Sequence, residues 1–292
     1  MAGLYIHIPF CRTRCIYCDF HSGTDMSVQE RYIEAVCREL VLRTKELNGE
    51  PIHTIYIGGG TPSQLNVELL QRLFSHIAQY ATLSQCSEIT IECNPDDLTD
   101  SYIAGLRTLP INRISMGIQS FDDNDLHFLR RRHTAQAAID AIKRCQAAGY
   151  SNISIDLIYG LPGQSLAMWH KNIDRATSLG IQHISAYALI YEEGTALMAL
   201  KEQGKVKECD EELSLDMYRS LIDRLADTGY HQYEISNFAL PHCEARHNSS
   251  YWEGTPYLGL GAAAHSYDGA TRRYNPADTK AYLATIERGV CC

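Results

Sequence analysis

Regular alternation of strand-like and helix-like segments predicts an α/β protein built on a partial, open TIM-type barrel of about six βα units, followed by a smaller carboxy-terminal α+β extension. Three observations carry this. Short β-branched runs alternate with longer stretches whose apolar residues recur near the helical period. The alternation spans residues 1–190 and breaks over 191–292. Six such units fall short of the eight that close a barrel. At 292 residues and 45% hydrophobic content, the chain can bury a large core.

The elements follow in order. Leu4 to Ile8 reads as the first strand, then Thr54 to Ile57, Glu88 to Glu92, Arg113 to Gly117, Asn152 to Ile158 and His183 to Leu189. Helical patterns over Val28 to Leu47, Val67 to Tyr80, Ala135 to Ala148 and Leu166 to Leu179 separate them. Beyond residue 190 a charged helical segment, Thr195 to Thr228, leads to Tyr233–Phe238 and then to a Gly-, Ala- and Tyr-rich stretch around Tyr257 to Tyr267.

Composition narrows the function classes. Met1-Ala2-Gly3-Leu4-Tyr5-Ile6 has no basic segment leading into an apolar stretch, and no run of about 18 apolar residues occurs, so a cytoplasmic protein is expected. A net charge of −9 argues against general nucleic-acid binding and leaves Arg130-Arg131-Arg132 as a local basic run. A reducing compartment would keep the eleven cysteines free for metal.

Cys11, Cys15 and Cys18 supply three thiolates from one short loop. Their CxxxCxxC spacing suits a 4Fe-4S cluster held through three irons, with the fourth open to a ligand. A zinc site completed by His21 also fits the local spacing, whereas an odd number of cysteines disfavours disulfides. Other polar signals fall at strand ends, where a parallel barrel places its chemistry. Gly58-Gly59-Gly60-Thr61-Pro62 follows the second strand, as a backbone cradle for a ligand or as a tight turn. Glu92 ends the third strand, Gln119 follows the fourth and Asp156 lies within the fifth. Acids in apolar strands are costly unless paired or ligand-bound, which makes Glu92 and Asp156 candidate acceptors for hydroxyls.

The order YIHIPFCRTRCIYC, GGGTP, IECNP, SMGIQSF, an Arg-rich turn ending in His133, and IDLIYGLPGQ resembles the oxygen-independent coproporphyrinogen III oxidase family of radical S-adenosylmethionine (SAM) proteins. The run YEISNFA at Tyr233 to Ala239 extends the resemblance over nearly the whole chain. It implies a barrel of the radical SAM kind, a cluster held by Cys11, Cys15 and Cys18, and SAM bound on the open iron and cleaved to a 5'-deoxyadenosyl radical. Tyr5 would lie against the cofactor site, and Gly58, Gly59, Gly60 and Thr61 would meet the methionyl group. Glu92, Gln119, Arg131 and Asp156 would complete the pocket, with Arg131 suited to a carboxylate. Two of the three consecutive arginines read equally well as a solvated charge run.

Within this family, decarboxylating members carry a further cysteine two residues after the third, where this chain has Phe20. Phe20 matches the haem-chaperone subgroup, as does Arg246-His247-Asn248-Ser249-Ser250-Tyr251-Trp252, which contains HNxxYW. An imidazole beside two aromatic rings offers an iron ligand and surfaces for a macrocycle. His247 is therefore the candidate haem contact, with His242, Cys243 and His265 as alternatives. The resemblance implies haem and haem-acceptor proteins as partners, including a membrane-associated acceptor, and an electron donor such as flavodoxin or ferredoxin. The competing reaction is the decarboxylation of coproporphyrinogen III. Members of the family commonly continue into a further helical domain, so a shortened carboxy terminus is expected here. Cys37, Cys86, Cys93, Cys145, Cys209, Cys291 and Cys292 read as structural or incidental.

Overall fold

Each of the six strand candidates is a strand in the computed structural model, which describes residues 1–291. Cys292 lies outside the described residues. The chain runs β1 (Ala2–Ile8), α1 (Gln29–Arg43), β2 (Ile52–Gly59), α2 (Val67–Ile77), β3 (Glu88–Cys93), α3 (Asp100–Leu106) and β4 (Arg113–Gln119). It continues with α4 (Asp123–Phe128), α5 (Ala135–Ala147), β5 (Ile153–Tyr159), α6 (Leu166–Ser178) and β6 (His183–Ala188). The charged segment divides into α7 (Ala196–Glu202) and α8 (Glu211–Asp227), because Gly204 takes a left-handed φ of 66° just after α7. After these come β7 (His231–Gln232), β8 (Asn237–Ala239), α9 (Arg246–Trp252), β9 (Tyr257–Leu260), β10 (His265–Tyr267), β11 (Arg272–Tyr274) and α10 (Thr279–Glu287).

Helix starts are fixed locally. Asn66, Thr134, Ser165 and Asp210 each accept a backbone N–H of the following first turn, which satisfies donors that helix geometry leaves open. Strands β1 to β6 pair in parallel in sequence order, as right-handed crossovers through helices require. The segment after residue 190 adds strands to both edges of this sheet. Strand β9 joins the free edge of β1 as a parallel neighbour and is followed outward by β10 and β11, while β8 and β7 pair antiparallel beyond β6.

Two faces of the sheet differ sharply in chemistry. Ile55, Ile57, Ile89, Ile91, Ile114, Met116, Ile118, Ile153, Ile155 and Leu157 are buried in one core against the helices. The alternating positions point into the barrel and are polar: Thr54 and Tyr56, Thr90 and Glu92, Arg113 and Ser115, Ser154 and Asp156, His183 and Ser185. A packed barrel fills its interior with branched apolar side chains; this one lines a cavity of about 720 Å³.

Glu39 and Arg43 of α1 tie the last strands to the first half of the chain. Glu39 is fully buried, pairs with Arg43 at 2.8 Å, and accepts from Gly261 N–H, Asn275 Nδ2 and Tyr282 Oη. Arg43 in turn donates to Gly259 O and Ser266 Oγ.

Candidate functional site

The cysteine loop leaves the carboxyl end of β1 and crosses the mouth of the barrel, so Cys11, Cys15 and Cys18 all line the cavity. Their thiols are not gathered on one point. Cys11 Sγ lies 3.4 Å from Thr61 Oγ1, and Cys15 Sγ accepts from Arg131 Nη1 at 3.2 Å. Burial pushes the Cys11 and Cys18 thiols up, that of Cys18 to about 11.

Beside the loop, Gly59 adopts a φ of 110°, and a Cβ there would meet the His7 ring at 2.6 Å. A Cβ on Gly60 would meet Ile8 O at 2.9 Å. The glycine run is thus both a turn that only glycine can make and a bare backbone facing the cavity. Gln119 lies at a bulge ending β4, with φ 74°, and its side chain turns into the cavity.

Glu92 accepts from Tyr56 Oη at 2.6 Å and from Gly59 N–H at 3.0 Å. Burial nevertheless raises its carboxyl to about 7, and burial raises Asp156 to about 6. Arg131, between α4 and α5, reaches inward to Asn94 Oδ1 at 2.6 Å and to Gly117 O, and its Nε is buried without a partner. Its neighbours separate by environment. Arg132 pairs with Asp96 at 2.7 Å and Asp97 at 3.1 Å, while Arg130 is exposed at the mouth with a left-handed φ of 57°.

The opposite end of the barrel is closed by α9. Glu88 caps this helix from β3, accepting Arg246 N–H at 2.8 Å and His247 N–H at 3.1 Å. His247 and Tyr251, one turn apart, face inward. His247 Nδ1 bonds Thr54 Oγ1 and its Nε2 bonds Tyr251 Oη, each at 2.8 Å. The ring stacks on Tyr56, and burial lowers its basicity to about 3. Both nitrogens are engaged, so iron ligation would require Tyr251 to be displaced. Trp252 points outward and is 66% exposed, so it shares no face with Tyr251. Among the alternatives, exposed His265 stacks on Tyr274 at the β10 edge, and His242 and Cys243 lie in the loop after β8; none of the three lines the cavity. His21 Nε2 bonds Thr279 Oγ1, so that ring, too, is already engaged.

Tyr5 lines the cavity with its hydroxyl 3.0 Å from His7 Nδ1. The barrel therefore brings together Tyr5, Gly59, Gly60, Thr61, Glu92, Gln119, Arg131 and Asp156 with the cysteines, and adds His247 from the far end. Sequence reading missed Tyr56, Asn94, Arg113, Ser115 and His183. Their signal was available as polar residues at every second position of otherwise branched apolar strands.

A six-stranded parallel half-barrel whose mouth carries three cysteines, a glycine cradle and a buried arginine defines a radical SAM protein. The radical SAM superfamily pattern matches residues 5–176. Two bacterial proteins named heme chaperone HemW are each 39% identical to the chain. That of Lactococcus lactis aligns over 96% of this chain and 73% of its own length, and that of Bacillus subtilis over 99% and 77%. A mitochondrial radical SAM domain-containing protein of Bos taurus is 35% identical over 90% of this chain and 60% of its own. The solved structure of coproporphyrinogen III oxidase (HemN) of Escherichia coli, a radical SAM enzyme, superposes with a TM-score of 0.85 at 25% identity, covering 98% of this chain and 69% of that one. The chain belongs to the HemW family of radical SAM proteins, a superfamily whose members use a 4Fe-4S cluster and SAM.

The residues present fit those groups. Three thiols on one loop border a single cavity, the Gly59–Gly60 backbone lines it without side chains, and a buried guanidinium nitrogen of Arg131 awaits an acceptor. No three metal ligands are pre-assembled among the described residues, so ligation requires the loop to draw its thiols together.

Proposed function

We propose that this chain binds haem at the mouth of its barrel and delivers it to acceptor proteins. Cys11, Cys15 and Cys18 would hold the cluster, which when bound supplies one-electron chemistry and one iron open to SAM. Arg131 would pair with the SAM carboxylate, exchanging its contact to Cys15 for a bidentate one. The Gly58–Thr61 backbone would lie along the methionyl group, Gln119 and Tyr5 would border the cofactor, and Glu92 and Asp156 would accept from its hydroxyl or ammonium groups.

The observation that carries this reading is Phe20, 63% exposed on the cavity rim two residues after the third cysteine. It shares the rim with Tyr187 and Ile190, which are 44% and 62% exposed. Exposed Arg14 and Arg130 stand on the same rim. Apolar rings and aliphatic surface between two cations match a flat macrocycle bearing carboxylates. An acceptor, at a membrane or free, would dock over this rim, and a flavodoxin- or ferredoxin-type donor would serve the cluster. No helix among the described residues is long and apolar enough to cross a membrane, and one relative, that of Bos taurus, is named as mitochondrial.

The test is haem titration and a coproporphyrinogen III turnover assay on the same anaerobically reconstituted sample. Haem retention without decarboxylation is expected. Conversion to protoporphyrinogen IX with consumption of SAM, and no retained haem, would replace this reading with the dehydrogenase one, which the superposition on HemN favours.

A further inference from the structure

Arg113 opens β4 on its inward face and is 2% exposed. A guanidinium stays charged at any working pH, and a buried charge is strongly disfavoured unless it is paired. Arg43 is paired with Glu39 and Glu46 and Arg132 with Asp96 and Asp97, while Arg131, though its Nε is free, donates to Asn94 Oδ1, Gly117 O and Cys15 Sγ. Arg113 Nε is buried without a hydrogen-bond partner, and among the described residues no carboxylate comes within ion-pair distance of its guanidinium. Yet the side chain lines the cavity.

The buried carboxylate of Glu88, two residues before the Thr90 that pairs with Arg113, is taken up by Thr90 Oγ1 and by the N–H groups of Arg246 and His247 and makes no ion pair with Arg113. Glu92 lies opposite Ser115 and Asp156 opposite Gly117, two and four residues further along β4. At about 3.3 Å per residue, that sets their backbones roughly 7 and 13 Å nearer the mouth. Both feel the guanidinium through space without reaching it. Ser154 Oγ and Tyr233 Oη are each bonded to the His183 ring at 2.7 Å, and burial, with Arg113 nearby, keeps that ring neutral. A buried guanidinium with an unpartnered Nε, no ion-pair partner and open cavity beside it leaves room for an anion supplied from outside.

We propose that the cavity floor is an anion subsite in which Arg113 takes a small carboxylate through its planar fork, separate from the SAM carboxylate that Arg131 receives nearer the mouth. Arg131 meets β4 at Gly117 O, four residues beyond Arg113 on the same inward face, so the two guanidinium groups serve different depths of one cavity.

The experiment uses the full chain with its cluster reconstituted anaerobically and 13C-labelled acetate as the probe. Two readouts apply: the line width of the acetate signal, and the thermal midpoint in sodium acetate against sodium chloride at equal ionic strength. Wild type is expected to broaden the signal and gain stability in acetate. Arg113→Gln should abolish both effects. Arg113→Lys, which keeps the charge and loses the fork, should weaken binding about fivefold or more, and it keeps the test decisive if Arg113→Gln fails to fold. SAM should bind without displacing acetate. No broadening by wild type would mean that water alone fills the floor, and equal binding by Arg113→Lys and wild type would exclude a bidentate contact. Displacement of acetate by SAM would assign Arg113 to the SAM carboxylate. Any of these three results overturns the proposal.

Discussion

The two ends of the barrel are built to opposite rules. At the mouth, polar groups are held loosely: two thiols share contacts with Thr61 and Arg131, the Arg131 Nε has no partner, and Phe20 and Ile190 stand in solvent. At the floor under α9, polar groups are closed on one another: His247 uses both ring nitrogens, and Glu88 receives two backbone N–H groups. Two motifs that look equally chemical in sequence therefore differ in kind. Unsatisfied polar atoms, at the mouth and at Arg113 above the floor, mark the places that receive ligands, and the satisfied set under α9 marks what holds the barrel shut.

The largest effect expected at the mouth is loss of metal. Replacing Cys11, Cys15 or Cys18 with Ala should leave the protein without the ~4 irons and matching sulfide of a 4Fe-4S cluster, as measured by iron and sulfide analysis after anaerobic purification. Stoichiometric zinc without sulfide in wild type would refute the cluster assignment.

At the floor, His247→Ala should cost about 2–3 kcal/mol in urea unfolding, because it strands Thr54 and Tyr251 hydroxyls and opens a cavity. Haem affinity should then change by less than about tenfold, since the loss of a direct iron bond is not involved. A larger loss of haem at unchanged stability would make His247 a ligand and erase the contrast between the two ends.

Next in size, Asp156→Ala and Arg131→Ala should each weaken SAM binding by about 1–3 kcal/mol, with iron content unchanged. Equilibrium binding under anaerobic conditions checks this, and unchanged affinity in both would remove them from the pocket.

The smallest effect is a pH slope. Glu92 and Asp156, raised by burial to about 7 and about 6, gain protons as pH falls through that range. Neutral acids attract the cationic SAM less, so affinity should fall from pH ~8 to ~5.5, and Glu92→Gln should flatten the curve. The ligand-free fold moves the other way. Folded values above the unfolded ones give a contribution that is complete below about pH 4 and lost as pH rises through 6 to 7. Thermal melts without SAM that lose stability on acidification over that interval, with Glu92→Gln showing the same loss, would contradict this sign.

Strands β1 to β6 were legible because their Ile-rich runs are bounded by glycine, proline and capping residues, and the structure moves their ends by one or two residues, lengthening β1 to β4, shifting β5 and shortening β6. The mouth was legible because its residues are contiguous in short motifs. The floor was not. His247 meets Thr54 only because α9 packs under β2, a contact spanning 193 residues that no local pattern announces. Similarly, β9 carries a run too short to place, and its position beside β1 is set by backbone pairing and by the Glu39–Arg43 network. Arg113 was read as the start of a strand. Only the inward alternation, visible once the register is known, makes it a cavity residue.

The position of β1 also orders events in time. Its neighbours are β2, about 50 residues later, and β9, whose Tyr257 pairs with Gly3. A ribosome adding ~5–20 residues per second delivers the first neighbour within seconds and the second only after about 250 further residues. The cysteine loop hangs from the carboxyl end of β1, so until β9 arrives it is attached to a sheet edge that remains open on one side. Iron delivered before β9 has been made would find an unfinished support, so insertion of the cluster is favoured only once that strand is in place.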